Sequence, residues 1–286
     1  MNSLRLLALL ASAVLFLTGC TTVPETGRRQ VLLVSADQEA QMGLEAFTQI
    51  KQEENVSHNA MLNDRVERVG RRIAASVGRD LPNAKWEFVV FESEELNAFA
   101  LPGGKVGVYT GLLYLAETDD ELAAVMGHEI AHVTSRHSGE RMSHQMIAVG
   151  ATALSEVAME AKDVDSDKRN IVRAALGVGT SVGVMLPFSR LHESEADAVG
   201  LRFAAGAGYD PRAAVTFWQR MMKANEGRAR PPEWLSTHPS NETRIRKLSE
   251  LAPQYLPLYE EAKKRIEAAE SGEAPPPLAQ REIGTP

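Results

Sequence analysis

Thr118-Asp-Asp-Glu-Leu-Ala-Ala-Val-Met-Gly-His-Glu-Ile-Ala-His-Val133 is the stretch on which the reading of this chain turns. Thr118 and Glu121 form a capping box, and Leu122, Met126, Ile130 and Val133 recur at helical spacing, so the stretch predicts a helix with one apolar stripe. His128 and His132 are four residues apart. Their imidazoles therefore stand about one turn apart and only roughly 40° off a common face, which lets both reach a single metal ion. Glu129 lies within about 100° of either histidine, close enough to hold a water at that ion and placed to act on it as a base.

A hydrolytic zinc ion keeps three protein ligands and leaves the fourth position to water, so a third ligand is needed. The extended pattern His-Glu-x-x-His-x-x-Gly-x-x-His fails here, because its last two fixed positions are Ser135 and Ser138. His137 would be about 140° off the ligand face on a continuous helix, and reads as structural or solvent-facing. A second helix over residues 189–205 offers a carboxylate instead. Ser189 is its candidate cap, Glu193 and Asp197 share one face, and Gly200 and Ala204 continue that face in small residues. Gly127 and Ala131 match them on the first helix, so the two can approach closely. Glu193 is then the candidate third ligand, and Asp197 the acceptor for the free ring N–H of a ligating histidine. Glu195 is roughly 200° from Glu193 and should point elsewhere. Taken alone, Glu193 and Asp197 read equally well as a solvated acidic face.

Outward from this pair the chain alternates clear signals. Ser35 with Gln38 predicts a capped helix to about Glu54, and a second runs from about Asn59 to Val77. Lys85 to Glu92 is a candidate strand. Asn97 to Thr110 reads as two more extended pieces interrupted by Pro102-Gly103-Gly104. From Thr118 the pattern is helical almost to the end, with breaks at Pro187, at Gly206 to Gly208 and at Pro231-Pro232. The fold class is therefore α+β, mostly helical, with a small sheet. Ile171 to Leu186 is apolar but short for a membrane span and carries Arg173 and three glycines; it is either a buried helix or a glycine-rich segment that moves over the site. Residues 271–286, with Pro275-Pro276-Pro277, read as a disordered tail.

The amino terminus has a separate logic. Arg5 precedes twelve apolar and small residues, Leu6 to Leu17, too few to cross a hydrocarbon core. Leu17-Thr18-Gly19-Cys20 follows, and Cys20 is the one cysteine of the chain, so no intrachain disulfide forms. This end resembles a bacterial lipobox, which implies cleavage after Gly19 and a lipid on Cys20. Residues 1–19 are then a lipoprotein signal peptide, 20–34 a lipid-anchored tether and 35–270 the metallopeptidase domain. Thr21 in place of Asp implies the outer membrane. The net charge of −7 argues against a nucleic-acid partner.

The pairing of His128-Glu129-Ile130-Ala131-His132 with Glu193-Ser194-Glu195-Ala196-Asp197 resembles metallopeptidase family 48, the HtpX-like and CAAX prenyl protease-like zinc metallopeptidases. Asn97 to Gly104 resembles the family's strand beside the active site, and Thr237-His238-Pro239 with Arg244 its C-terminal motif. The likeness covers roughly Ser35 to Leu251 and is nearest to the soluble periplasmic BepA-like and LoiP-like lipoproteins. It implies a gluzincin-type zincin with a small mixed sheet packed beside the active-site helix. It also implies one zinc ion on His128, His132 and Glu193, and Glu129 as catalytic base. Asn97, Ala98, Phe99 and Ala100 would pair with extended substrate. For His238 three roles stay open: oxyanion stabilisation, an extra ligand in a latent state, or a plain loop histidine. The implied activity is hydrolysis of peptide bonds in unfolded or misassembled polypeptides of the bacterial periplasm, with the outer-membrane assembly machinery as a partner by resemblance. The rival is a lipid-anchored chaperone or assembly factor with a non-catalytic metal site.

Overall fold

The computed structural model describes residues 20–162, 164–180, 186–227, 233–238 and 242–272. The expected signal over 1–19, most of the expected tail, and Pro231, Pro232 and Pro239 lie outside them. In chain order the elements are β1 (Cys20–Thr22), β2 (Arg29–Val31), α1 (Ala36–Glu53), α2 (Ala60–Val77), β3 (Glu87–Phe91), β4 (Ala98–Leu101), β5 (Lys105–Tyr109) and α3 (Thr110–Leu115). They continue as α4 (Asp119–Thr134), α5 (His137–Glu160), α6 (Ser166–Thr180), α7 (Leu186–Gly206), α8 (Ala213–Asn225), α9 (Glu233–Thr237), α10 (Glu242–Leu251) and α11 (Leu256–Ser271). The α+β architecture, mostly helical with a small mixed sheet, is as the sequence predicts.

Side-chain caps set the helix starts. Ser35 Oγ accepts from Gln38 N while Gln38 Oε1 accepts from Ser35 N, the full reciprocal box, and Asn59 caps α2. Thr118 caps α4 by accepting from Glu121 N, but the Glu121 carboxylate turns back one residue further, to Glu117 N at 2.8 Å. The box expected there is thus only half made, since Glu121 is also drawn toward Arg220. Ser189 lies within α7 rather than at its cap.

α4 is the centre of the molecule, packed on α7, β4, α2 and α8. Leu122, Met126 and Ile130 are fully buried, joined by Val69 and Ile73 from α2 and Phe203 from α7. The tightest crossing is with α7. A Cβ on Gly127 would stand 2.8 Å from Gly200 O, and one on Gly200 equally close to the backbone of His128. Only glycine at both positions lets the two backbones meet, and that contact sets the distance between the histidine pair on α4 and the carboxylates on α7.

The sheet has the order β3-β5-β4, with β3 parallel and β4 antiparallel to β5. β4 is an edge strand lying against α4. Gly103 and Gly104 turn the chain from β4 into β5 with φ of +85° and +82°, values that suit glycine. Phe47, Phe91 and Tyr109 make a second apolar cluster between α1 and the sheet.

Within the expected tether, β1 and β2 form an antiparallel hairpin, with Val23 and Gln30 buried and Arg28 reaching into the helical body. In the apolar stretch from Ile171, Ile171 is 68% and Val172 36% exposed, and the side chains from residue 174 to its end lie outside the described ones. Among the described residues no helix is long and apolar enough to cross a membrane.

Candidate active site

Four donor side chains converge where α4, α7 and the end of α9 meet. Nε2 of His132 is 3.1 Å from Nε2 of His128. Glu193 places Oε2 3.4 Å from His128 Nε2 and Oε1 3.4 Å from His132 Nε2. His238 Nδ1 completes the group, 3.2 Å from His128 Nε2 and 3.0 Å from Glu193 Oε2. Ligand atoms about 2.0–2.1 Å from a tetrahedral zinc ion are about 3.3–3.4 Å apart, so these spacings are close to the edges of such a site. Two or three imidazole nitrogens with one carboxylate oxygen are also the donor types zinc takes, and the four could hold one ion.

Each donor is held from behind. His128 Nδ1 is 3.0 Å from Asp197 Oδ1, the partner expected for a ligand's free ring N–H. Arg244 from α10 grips Asp197 with two bonds, Nε to Oδ2 at 2.9 Å and Nη2 to Oδ1 at 2.7 Å, and places Nη1 3.1 Å from Glu193. Its guanidinium lies 3.6 Å from the Trp218 ring centroid. His238 is fixed at the C-terminal end of α9, its N–H donating to Trp234 O.

Glu129 is buried beside this group, with Oε1 3.5 Å from His238 Nε2. Its anchor is Trp234, whose indole N–H donates to Oε1 at 2.6 Å. Trp234 is in turn stacked on Trp218 at 4.7 Å. Asn97 to Ala100 lie at the start of the edge strand β4, with Asn97 O accepting from Tyr109 N and Ala98 buried.

The electrostatics follow from crowding opposite charges in a buried space. Burial raises the Glu193 carboxyl, but bonds to His128 and His238 outweigh it and hold the group far below the usual carboxylate range. Asp197 is likewise lowered, since Arg244 and His128 overcome its burial. Burial and Arg244 push His128 down, yet Asp197 and Glu193 carry it up to about 9. His132 goes the other way, pushed well below the ordinary histidine value by burial and then by its charged neighbour His128.

His137 is the largest departure from the helical reading. Of the two alternatives it takes the structural one and not the solvent-facing one: it is fully buried behind the His132 ring, with Nδ1 2.8 Å from Nδ1 of His132 and outside the donor group. The reason is a break that no glycine or proline announces. Arg136 adopts φ +56°, ending α4 and folding the first residue of α5 back beneath it. Arg136 is held there by Glu39 and by Val34 O, both far away in sequence. Glu195 does point away from the donor group, as predicted, but toward His137 rather than solvent. Trp234 and Arg28 carry no sequence signal of their roles, since only tertiary contacts bring them here.

Comparison with known proteins adds a second line. The sequence profile described as Peptidase family M48 matches residues 60–252. Mitochondrial metalloendopeptidase OMA1 of Schizosaccharomyces pombe is 35% identical over 246 residues, covering 84% of this chain and 69% of that protein. The putative beta-barrel assembly-enhancing protease of Vibrio cholerae is 31% identical over 257 residues, covering 87% of this chain and 53% of its own. The beta-barrel assembly-enhancing protease of Escherichia coli K12 is 29% identical over 246 residues, covering 85% and 50%. The chain thus spans about half the length of these bacterial relatives.

Proposed function

The chain belongs to peptidase family M48 and is a zinc-dependent metallopeptidase of zincin-like fold, and from this premise we propose that His128, His132 and Glu193 hold the ion while Glu129 is the general base. The supporting observation is the convergence of two Nε2 atoms and one carboxylate within 3.1–3.4 Å, with the Glu129 carboxylate beside them. Zinc, when bound, supplies the Lewis acidity that polarises the scissile carbonyl and lowers the pKa of the attacking water. Glu129 takes that water's proton and passes it to the leaving amine. Trp234 orients the base by occupying one lone pair of Oε1, which leaves Oε2 for the proton. Asp197 and Arg244 keep His128 in the tautomer that offers Nε2.

His238 sits where a fourth donor would, so in this conformation it is an extra ligand that has to withdraw before water and substrate enter. A structural metal site also has four protein donors, and that likeness is the one point in favour of the non-catalytic rival. Glu129 decides against it, because a structural site has no use for a buried carboxylate held beside the metal.

The substrate, in this reading, is extended polypeptide added to the free edge of β4 at Asn97, Ala98, Phe99 and Ala100. Such pairing reads backbone and so suits unfolded or misassembled chains. The names of the bacterial relatives, which speak of β-barrel assembly, fit a role in envelope quality control. The Leu17-Thr18-Gly19-Cys20 signature fits a periplasmic protein anchored to the outer membrane by lipid on Cys20. The direct test is Glu129→Gln, which should keep zinc and lose cleavage of an unfolded casein-type substrate. Undiminished cleavage would falsify the role of the base, and holdase activity indifferent to the substitution would favour the chaperone.

A further inference from the structure

His137 has no part in the hydrolysis just described, although it is fully buried and lies on a metal ligand. Its contacts form a chain. His137 Nδ1 faces His132 Nδ1 at 2.8 Å, and His137 Nε2 faces Glu195 Oε2 at 2.9 Å. A histidine that gives Nε2 to a metal keeps its proton on Nδ1, so His132 donates to His137. His137 must then carry its own proton on Nε2 and donate it to Glu195. One assignment of protons satisfies both contacts, with a neutral His137 between a ligand and a carboxylate.

The carboxylate is fixed by the N-terminal hairpin. The Thr26 hydroxyl donates to Glu195 Oε1, and Arg28 Nε donates to Oε2 at 2.9 Å. The remaining guanidinium nitrogens of Arg28 bind both oxygens of Glu140 on α5, at 3.0 and 2.7 Å. Glu140 also receives His192 Nε2 at 2.9 Å, and the His192 ring stacks on His137 with centroids 4.1 Å apart. His137 is thus clamped at both nitrogens and on a ring face. The left-handed Arg136 that swings it into place is a conformation a non-glycine residue adopts only at a cost.

We propose that His137 and Glu195 are positioning residues of the metal centre, and that the hairpin over residues 20–31 is a working part of it through Thr26 and Arg28. The hairpin fixes Glu195, Glu195 fixes His137, and His137 fixes the tautomer and ring orientation of His132. The other histidine has the same support at shorter range, through Asp197 and Arg244. An imidazole whose free N–H is accepted in this way binds metal more tightly, by about 10- to 100-fold for comparable sites. The proposal rests on His132 being a metal ligand.

The test measures zinc affinity of the full chain by competition with a chromophoric chelator, and the visible absorption of the cobalt-substituted protein. Glu195→Gln, which keeps volume, and His137→Phe should each weaken zinc by about 10- to 100-fold and alter the cobalt bands. Arg28→Met should act in the same direction and less strongly. The double variant should bind no more weakly than His137→Phe alone, because one break already severs the chain. Ile73→Val, a core truncation on α2, which supplies none of the four donors, should lower the melting temperature and leave zinc affinity alone. Wild-type affinity and cobalt spectrum in Glu195→Gln would overturn the proposal, as would additive losses or an equal loss in Ile73→Val. Should His137→Phe not fold, Glu195→Gln reads the same link. A wild type without zinc, or a His132→Ala variant that keeps it, would instead remove the ligand assignment and this proposal with it.

Discussion

Trp234 donates its indole N–H to Glu129 Oε1 at 2.6 Å, tying the carboxylate proposed as the base to a residue more than a hundred positions away. A hydrogen bond to a charged group contributes about 1.5–3 kcal/mol, or roughly 10- to 100-fold in rate if it orients the base. Trp234→Phe keeps a ring to stack on Trp218 and loses the donor. Its kcat is expected to fall in that range at unchanged zinc content, as steady-state kinetics beside elemental analysis would reveal. A kcat equal to wild type would mean that Glu129 needs no such anchor.

Asp197 and Arg244 back His128 as an ion pair, so removing the carboxylate takes away the two-point partner of a buried guanidinium, which keeps its contacts to Glu193 and Trp218. Asp197→Ala is expected to weaken zinc by about 10- to 100-fold. It should also cost roughly 1.5–3 kcal/mol of stability, because the guanidinium loses the charged acceptor that takes two of its bonds. Arg244→Lys should restore charge without the two-point grip and fall between the two. Chelator competition and chemical denaturation of the same samples separate the effects.

The Gly127 and Gly200 contact predicts an unusual sensitivity to one methyl group. At Gly200→Ala the added Cβ meets the Cα and N of His128 at 2.8 Å, which are backbone atoms and cannot turn aside. The helices have to separate, at a cost of about 1–3 kcal/mol. Because that movement parts His128 from Glu193, zinc affinity should fall along with stability. Gly150→Ala, on an open face of α5, is the matched control and should be neutral or slightly stabilising.

Glu140 gives the pH prediction. Burial raises its carboxyl, but His192 and Arg28 outweigh burial and bring it from the usual 4.5 down to about 2. The unfolded chain therefore binds the proton first as pH falls. The stabilisation is fully present above about pH 4.5 and is lost progressively as the pH drops through the folded value near 2. Glu140→Gln should be less stable than wild type at neutral pH, with a flatter stability curve between those limits. Denaturant melts at stepped pH measure the difference, and parallel curves would contradict it.

Much of this architecture was legible in the residues because it obeys local rules. Ser35, Asn59 and Thr118 mark three helix starts by capping chemistry, and Pro102-Gly103-Gly104 marks the strand reversal by its backbone demands. Helical spacing alone brought His128 with His132, and Glu193 with Asp197, onto common faces, and the small residues opposite them pointed to the crossing. The rest depends on tertiary contact. The break at Arg136 is held by Glu39 and Val34, so no local pattern encodes it, and helical arithmetic carried past the break misplaces His137. The hairpin before Val31 is too short to show a strand period, and its hold on the body comes from Arg28 bonding two carboxylates on separate helices.

Glu193, the proposed ligand supplied by α7, is the residue that sequence alone left open as part of a solvated face. The decisive measurement is zinc per chain in purified wild type and Glu193→Gln, taken together with peptidase activity. About one zinc ion per chain in the wild type, with zinc and cleavage both largely lost in the variant at preserved fold, is the predicted result. A Glu193→Gln protein that keeps stoichiometric zinc and full activity would contradict the convergence of α4 and α7 as the source of the chemistry.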